Sequence, residues 1–143
     1  MQKIYTGISY HTLDSKNRLF IPPKLRAQEK QYVLTCGIDN CIVIYSFSQW
    51  KNVVNKIDNL TLKNKHYQRS FVRMFFAEAE IVEIDNQGRI LIPQKFKQRY
   101  KIKQEVVLIG NRDKLEIWSK DEWSKYSKQT NKIIQLIKTE IVL

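Results

Sequence analysis

The sequence is short of the residues that most specialised chemistries require: 2 cysteines, 2 histidines, 4 glycines and 3 prolines among 143 residues. Cys36 and Cys41 lie in or beside apolar, strand-like runs, so buried thiols are expected rather than a disulfide framework. Their Cys-x4-Cys spacing is not the tight pair of most zinc sites, and with only His11 and His66 to add, no metal is expected. Four scattered glycines build no phosphate-cradling loop, and neither a cofactor nor a small-molecule substrate is expected. No stretch approaches the roughly 18 uninterrupted apolar residues of a membrane span, and Met1-Gln2-Lys3 leads into no apolar signal segment. A soluble, cytoplasmic protein without a membrane partner is the expectation. Acidic residues are scarce as well: 14 against 25 basic ones leave a net charge of +11 and a pI near 9.7. An excess of that size marks a protein that meets polyanions, although a surface charged for solubility is the plainer alternative.

What the chain does have is an internal repeat. Leu13-Asp14-Ser15-Lys16-Asn17-Arg18-Leu19-Phe20-Ile21-Pro22 returns 71 positions later as Ile84-Asp85-Asn86-Gln87-Gly88-Arg89-Ile90-Leu91-Ile92-Pro93. Each copy reads as a strand, a tight turn and a second strand that stops at proline. The turn needs its last residue in the left-handed region, where Gly costs nothing and Asn costs least among the others. Asn17 and Gly88 stand there. Asp14 and Asp85 open the turns and are placed to accept bonds from loop N–H groups.

The repeat runs on with a drifting register. Pro22-Pro23-Lys24-Leu25 matches Pro93-Gln94-Lys95-Phe96, each proline suited to start a helical turn. Val33-Leu34-Thr35-Cys36-Gly37 then matches Val106-Val107-Leu108-Ile109-Gly110, and Ile44-Tyr45 matches Ile117-Trp118, as does Trp50 with Trp123, at an offset of 73. A two-residue insertion between Lys97 and Gln104 accounts for the change. Helices are expected from Ser48, as N-cap, to Leu60, from Lys65 to Ala79, and from Ser119 onward. Ile133, Ile134, Leu136 and Ile137 form an apolar patch to be docked on the chain's own core or on a neighbouring subunit. The two copies span residues 1–71 and 72–143, with charges of +7 and +4. The first is the more basic, its hairpin region carrying Lys3, Lys16, Arg18, Lys24 and Arg26.

Other chemistries are open to the residues alone. Asp14 and Asp85 as a hydrolase's paired carboxylates would need to share a cleft with shifted pKa values, yet each precedes an arginine that favours its charged form. No enzyme is expected. Trp50, Trp118, Trp123 and the tyrosines offer stacking platforms for single-stranded nucleic acid or RNA, although their helical and strand settings favour core packing. A structural assembly protein with acidic partners is a third reading. On spacing alone, Asp and Arg merely bridging the turn is the bland explanation of the motif.

Asp-x-x-x-Arg twice, each followed by an apolar strand and proline, a Gly-ended strand, an aromatic-bearing strand and Trp, resembles the MraZ family from Tyr5-Thr6-Gly7 through Trp123 and Tyr126. The resemblance implies an α+β fold with a mainly β core: a swapped-hairpin, AbrB-like double-split β-barrel, with two tandem copies in one chain, flanking helices and one intertwined pseudo-dimeric unit. It also implies a nucleoid-associated regulator of the division and cell-wall gene cluster. Such a protein binds short direct repeats in double-stranded DNA as a ring-shaped homo-oligomer. Carried onto this sequence, the motif gives Arg18 and Arg89 as DNA-facing residues, with Lys16, Lys24, Arg26 and Lys3 beside them. Asp14, Asn17, Asp85 and Gly88 become the turn-stabilising set. Asn17 departs from the family's usual glycine.

Overall fold

Strands form here where apolar residues alternate or run unbroken, and helices where they recur every three or four positions. A computed structural model describes residues 3–143; Met1 and Gln2, the start of the stretch read as lacking an apolar leader, lie outside the described residues. In chain order the elements begin with β1 (Ile8–Thr12), β2 (Arg18–Phe20), a 3-10 turn (Pro23–Leu25), β3 (Gln31–Cys36), β4 (Ile42–Ser46), α1 (Phe47–Asp58) and α2 (Lys65–Ala77). The second half continues with β5 (Glu80–Glu83), β6 (Arg89–Leu91), α3 (Gln94–Arg99), β7 (Glu105–Asn111), β8 (Lys114–Ser119) and α4 (Lys120–Ile137).

Six strands form one antiparallel sheet in the order β1-β7-β8-β4-β3-β5, and β2 pairs with β6 in a separate ribbon. Outer strands are exchanged: β1 of the first repeat lies on β7 of the second, and β5 of the second lies on β3 of the first. Interchanging the repeats reproduces the strand order. Both pairings at the centre obey that two-fold relation, since Leu19 faces its counterpart Ile90 and Val43 faces its counterpart Glu116. The ribbon is tied in by matching bonds, Ile21 N–H to the Gly88 carbonyl at 2.8 Å and Ile92 N–H to the Asn17 carbonyl at 2.9 Å. The fold is α+β with a mainly β core, a double-split β-barrel. Its interior holds Leu19, Ile21, Ile90 and Ile92 from the ribbon, with Leu34, Ile44, Leu108 and Ile117 from the sheet. Each such side chain contributes about 1.5–3 kcal/mol of burial.

Strand pairing corrects the register read from sequence. Val82 pairs with Tyr32, and its counterpart His11 pairs with Val106, so Tyr32 corresponds to Val106, 74 positions on. The insertion before β7 is therefore three residues, which extends the three-residue turn at Pro23–Leu25 into the six-residue α3. One residue is given back at the next hairpin. Gly37 N–H reaches the Cys41 carbonyl across a longer turn, whereas β7 and β8 close directly between Asn111 and Lys114. Gly37 and Gly110 are thus not counterparts; a side chain at Gly110 would run into the backbone of Thr6.

Two helix expectations also shift. Ser46, not Ser48, caps α1 by accepting the Gln49 N–H at 3.3 Å, because β4 runs into the helix without a loop. Ser48 is held instead by Glu29, whose carboxylate accepts its hydroxyl at 2.8 Å. Helix α2 stops at Ala77, capped by Asn64 at its start, since β5 begins at Glu80. Ser119 caps α4 as expected, accepting Glu122 N–H at 3.0 Å. The patch at Ile133, Ile134, Leu136 and Ile137 is exposed, so docking on the chain's own core is overturned.

Candidate nucleic-acid interface

The two Asp-x-x-x-Arg turns close the same way at opposite ends of the β2–β6 ribbon. Asn17 N–H donates to the Asp14 carbonyl at 2.9 Å, and Gly88 N–H to that of Asp85 at 3.0 Å. Both end in the left-handed region, with φ of 60° at Asn17 and 78° at Gly88. Asp14 Oδ1 accepts the N–H groups of Lys16 and Arg18, each at 2.9 Å, while Oδ2 accepts Arg18 Nε at 2.7 Å. Asp85 repeats this with the N–H groups of Gln87 and Arg89 and with Arg89 Nε, all at 2.9 Å. The arginine's backbone N–H, reinforced by its side chain and by the Lys16 or Gln87 N–H, holds each carboxyl below its ordinary value.

The arginines therefore do bridge their own turns, but only through Nε. Leu19 and Ile90 point into the core, so Arg18, Phe20, Arg89 and Leu91 occupy the ribbon's outer face. The Arg18 and Arg89 side chains are 29% and 27% exposed. Among the described residues no hydrogen bond takes the Nη atoms of either; the carboxylate recorded near Arg89 Nη1 is that of Asp14, at 3.7 Å. Two planar guanidinium groups are thus steadied at Nε and left with donors to spare, an arrangement suited to guanine edges or phosphates.

Each tip is covered by a cation from the other repeat. Lys97 Nζ donates to Asn17 Oδ1 at 2.6 Å. Arg26, its counterpart in the first repeat, lies over Gly88, where a Cβ would collide with the guanidinium. At the first tip an ammonium takes the Asn17 amide oxygen; at the second, Gly88 leaves room for a broader group. Lys97 was not singled out from sequence, although its equivalence to Arg26 pointed to it. Arg26 also donates from Nε to the Ile21 carbonyl at 2.7 Å and stacks on Phe20, 5.2 Å from the ring centre.

The remaining candidates divide. Lys16 is exposed on the first tip and Lys24 on the 3-10 turn, and among the described residues no hydrogen bond or ion pair holds either ammonium. Lys3 donates to the Arg26 carbonyl at 2.7 Å beside the Tyr5 ring. In the second repeat Lys95, the counterpart of Lys24, is neutralised by Glu80 at 3.1 Å and Glu78 at 3.7 Å. The tryptophans are packed: Trp50 against Tyr45, Phe75 and Phe76, and Trp118 against Trp123 and Tyr126. Cys36 and Cys41 are free and buried, with burial pushing the Cys41 thiol pKa up. Among the described residues there is no cluster of metal-ligating side chains and no helix long and apolar enough to cross a membrane.

A barrel of exchanged hairpins, with an arginine-bearing turn at each end of a central ribbon, is the architecture of the AbrB-like swapped-hairpin class. A family model described as "MraZ protein, putative antitoxin-like" matches residues 4–73 and again 75–140. The chain is 46% identical over 122 residues to the transcriptional regulator MraZ of Caldanaerobacter subterraneus subsp. tengcongensis, covering 85% of each chain. It is 44% identical over 125 residues to the protein of that name from Clostridium botulinum strain Alaska E43, covering 87% of each. With that of Alkaliphilus metalliredigens the identity is 40% over 129 residues, covering 90% of each. The chain belongs to the MraZ family.

Proposed function

We propose that this protein is a sequence-specific regulator of transcription that grips double-stranded DNA through the outer face of its β2–β6 ribbon. The observation that carries the reading is the pair of outward guanidinium groups beside the unneutralised Lys16 and Lys24, on a chain of net charge +11. A two-stranded ribbon fits the major groove, and the regulators named among the relatives support the class. Arg18 and Arg89 read bases, Lys16, Lys24, Arg26 and Lys3 meet the phosphates, and Asp14, Asn17, Asp85 and Gly88 hold the tips. Residues 1–71 and 72–143 act as the two copies of one intertwined pseudo-dimeric unit.

The finer assignment is a nucleoid-bound ring that engages short direct repeats ahead of the division and cell-wall gene cluster. Support for assembly comes from α4 and the segment after it, whose Ile133, Ile134, Leu136, Ile137, Ile141 and Val142 are exposed. Several weak modules on one ring then bind repeated boxes by avidity. The role is not enzymatic, because both carboxylates of the doubled motif are taken up by arginines, Asp14 by Arg18 with Arg89 nearby and Asp85 by Arg89. Packing of the tryptophans weighs against single-stranded binding, which leaves exposed Tyr10, Tyr67 and Tyr126 as its stacking groups.

The test is a footprint on the duplex upstream of the protein's own gene across a range of salt. Protection of spaced boxes, weakening steeply as salt rises, is expected, because binding releases counterions from phosphates. A flat salt response, or single strands displacing an equal duplex, would contradict the reading.

A further inference from the structure

The ribbon's outer face is not wholly basic. Phe20 and Leu91 stand on it 43% and 53% exposed, although the interior lies one residue away on either side, at Leu19, Ile21, Ile90 and Ile92. Neither belongs to the Asp-x-x-x-Arg motif, and neither is needed by the core. Register sets each directly across from an arginine: Leu91 opposite Arg18, and Phe20 opposite Arg89. Cross-strand neighbours of this kind lie about 4.5–5.5 Å apart at Cβ. The face is therefore a two-fold quartet, with guanidinium groups on one diagonal and apolar groups on the other. Phe20 is further fixed by Arg26 stacked on its ring at 5.2 Å.

Charge says what such a face meets. Lys16, Lys24 and Arg26 add to its positive charge, and its acidic groups, Asp14 and Asp85, are taken up by turn N–H groups and by Nε of Arg18 and Arg89. The surface of a polyanion that also offers apolar groups at the depth of base edges is the floor of the DNA major groove, where thymine presents its 5-methyl group. An apolar protein interface would leave the arginines and lysines to be desolvated without partners.

We propose that Phe20 and Leu91 are specificity-determining residues that read thymine methyl groups beside the bases met by Arg18 and Arg89. This rests on the duplex-binding reading above. The arginines select by hydrogen bonding, the apolar pair by burial of a methyl. Removing one methyl from such a contact costs about 0.8 kcal/mol, or roughly fourfold in affinity.

The experiment uses the duplex covered by the footprint upstream of the gene, made with thymidine or with deoxyuridine in its place. The wild-type protein should bind the uracil duplex about fourfold more weakly for each methyl contacted. Leu91→Ser, which disturbs no stacked neighbour, should weaken binding to the thymine duplex and shrink the difference between the two. Phe20→Ser should do the same, and Phe20→Leu should restore the difference, which loss of the Arg26 stack alone would not predict. Equal binding of both duplexes by the wild type would overturn the assignment while leaving duplex recognition intact. A full thymine preference retained by Leu91→Ser and Phe20→Ser would also overturn it. Absence of any footprint would instead sink the duplex-binding reading itself.

Discussion

Lys24 and Lys95 occupy the same place in the two halves of the chain, yet only Lys95 is neutralised, by Glu78 and Glu80. Counting back through the repeat, Gly7 and Ser9 stand where those glutamates would be. The tips differ in the same sense, Lys16 in the first matching Gln87 in the second. Two halves related by a nearly perfect strand exchange thus carry unequal charge, the unneutralised Lys16 and Lys24 both belonging to the first. Backbone geometry and the two arginines are shared; the surrounding charge is not. The fold supplies a symmetric scaffold, and the surface residues make its two halves unlike in charge.

The largest effect that separates the halves should come from the arginines. Arg18→Ala is expected to lower duplex affinity by about 10- to 100-fold for each engaged subunit, multiplied by avidity in an assembly. Arg89→Ala should cost less. Binding titrations, with sedimentation to show the oligomer unchanged, measure this; equal losses would erase the distinction. Next come the lysines, since Lys24→Ala should flatten the dependence of log K on log salt by about one contact. Lys95→Ala should leave that slope unaltered. Glu78→Gln with Glu80→Gln frees Lys95 and should steepen the slope by about one, making the second half resemble the first.

Acid should act on both tips alike. The Asp14 and Asp85 carboxyls lie below their ordinary value in the fold, first because of the Arg18 and Arg89 N–H groups. Their contribution is complete above the unfolded carboxyl's pKa, about 4, and is lost as pH falls through the depressed folded values. Thermal unfolding followed across that window should show a decline that Asp14→Asn, already without the charge at neutral pH, does not share in full. Gly88→Ala comes last: a Cβ at positive φ that also displaces Arg26 should destabilise by about 1 kcal/mol. Asn17→Gly, which relieves its own backbone but frees Lys97, should stay within about 0.5 kcal/mol of wild type. Denaturant midpoints would show whether the tips respond as differently as their partners suggest.

Much of this architecture was legible in the residues because turn chemistry is local. Asp at one end and Asn or Gly in the left-handed position dictate the hairpins, and doubling them implies the two-fold core. Strand register was not legible. Val106, Val107 and Leu108 are interchangeable as apolar letters, and only pairing with β1 and β8 decides that Tyr32, not Val33, answers to Val106. The Ser46 cap was missed because a strand that passes straight into a helix leaves no loop to mark the boundary. For the candidate site, sequence pointed to Arg18 and Arg89 through the motif and to Lys16 and Lys24 through the flanking charge. It did not reveal that Lys3 turns to the Arg26 carbonyl or that Lys97 covers Asn17, 80 positions away. Those contacts depend on the exchange of strands between halves, which brings together residues that no local pattern connects.

The most direct measurement places a DNA-cleaving iron chelate on one tip at a time, through Ser15→Cys or Asn86→Cys. Cys36 and Cys41 are buried, and burial pushes the Cys41 thiol pKa up, so attachment is directed to the new thiol. Bound to its upstream duplex, the protein labelled at residue 15 should cut inside the footprint, and more strongly than the protein labelled at residue 86. Strand cutting that is absent from position 15, or stronger from position 86, would contradict a ribbon presented to DNA from the first half.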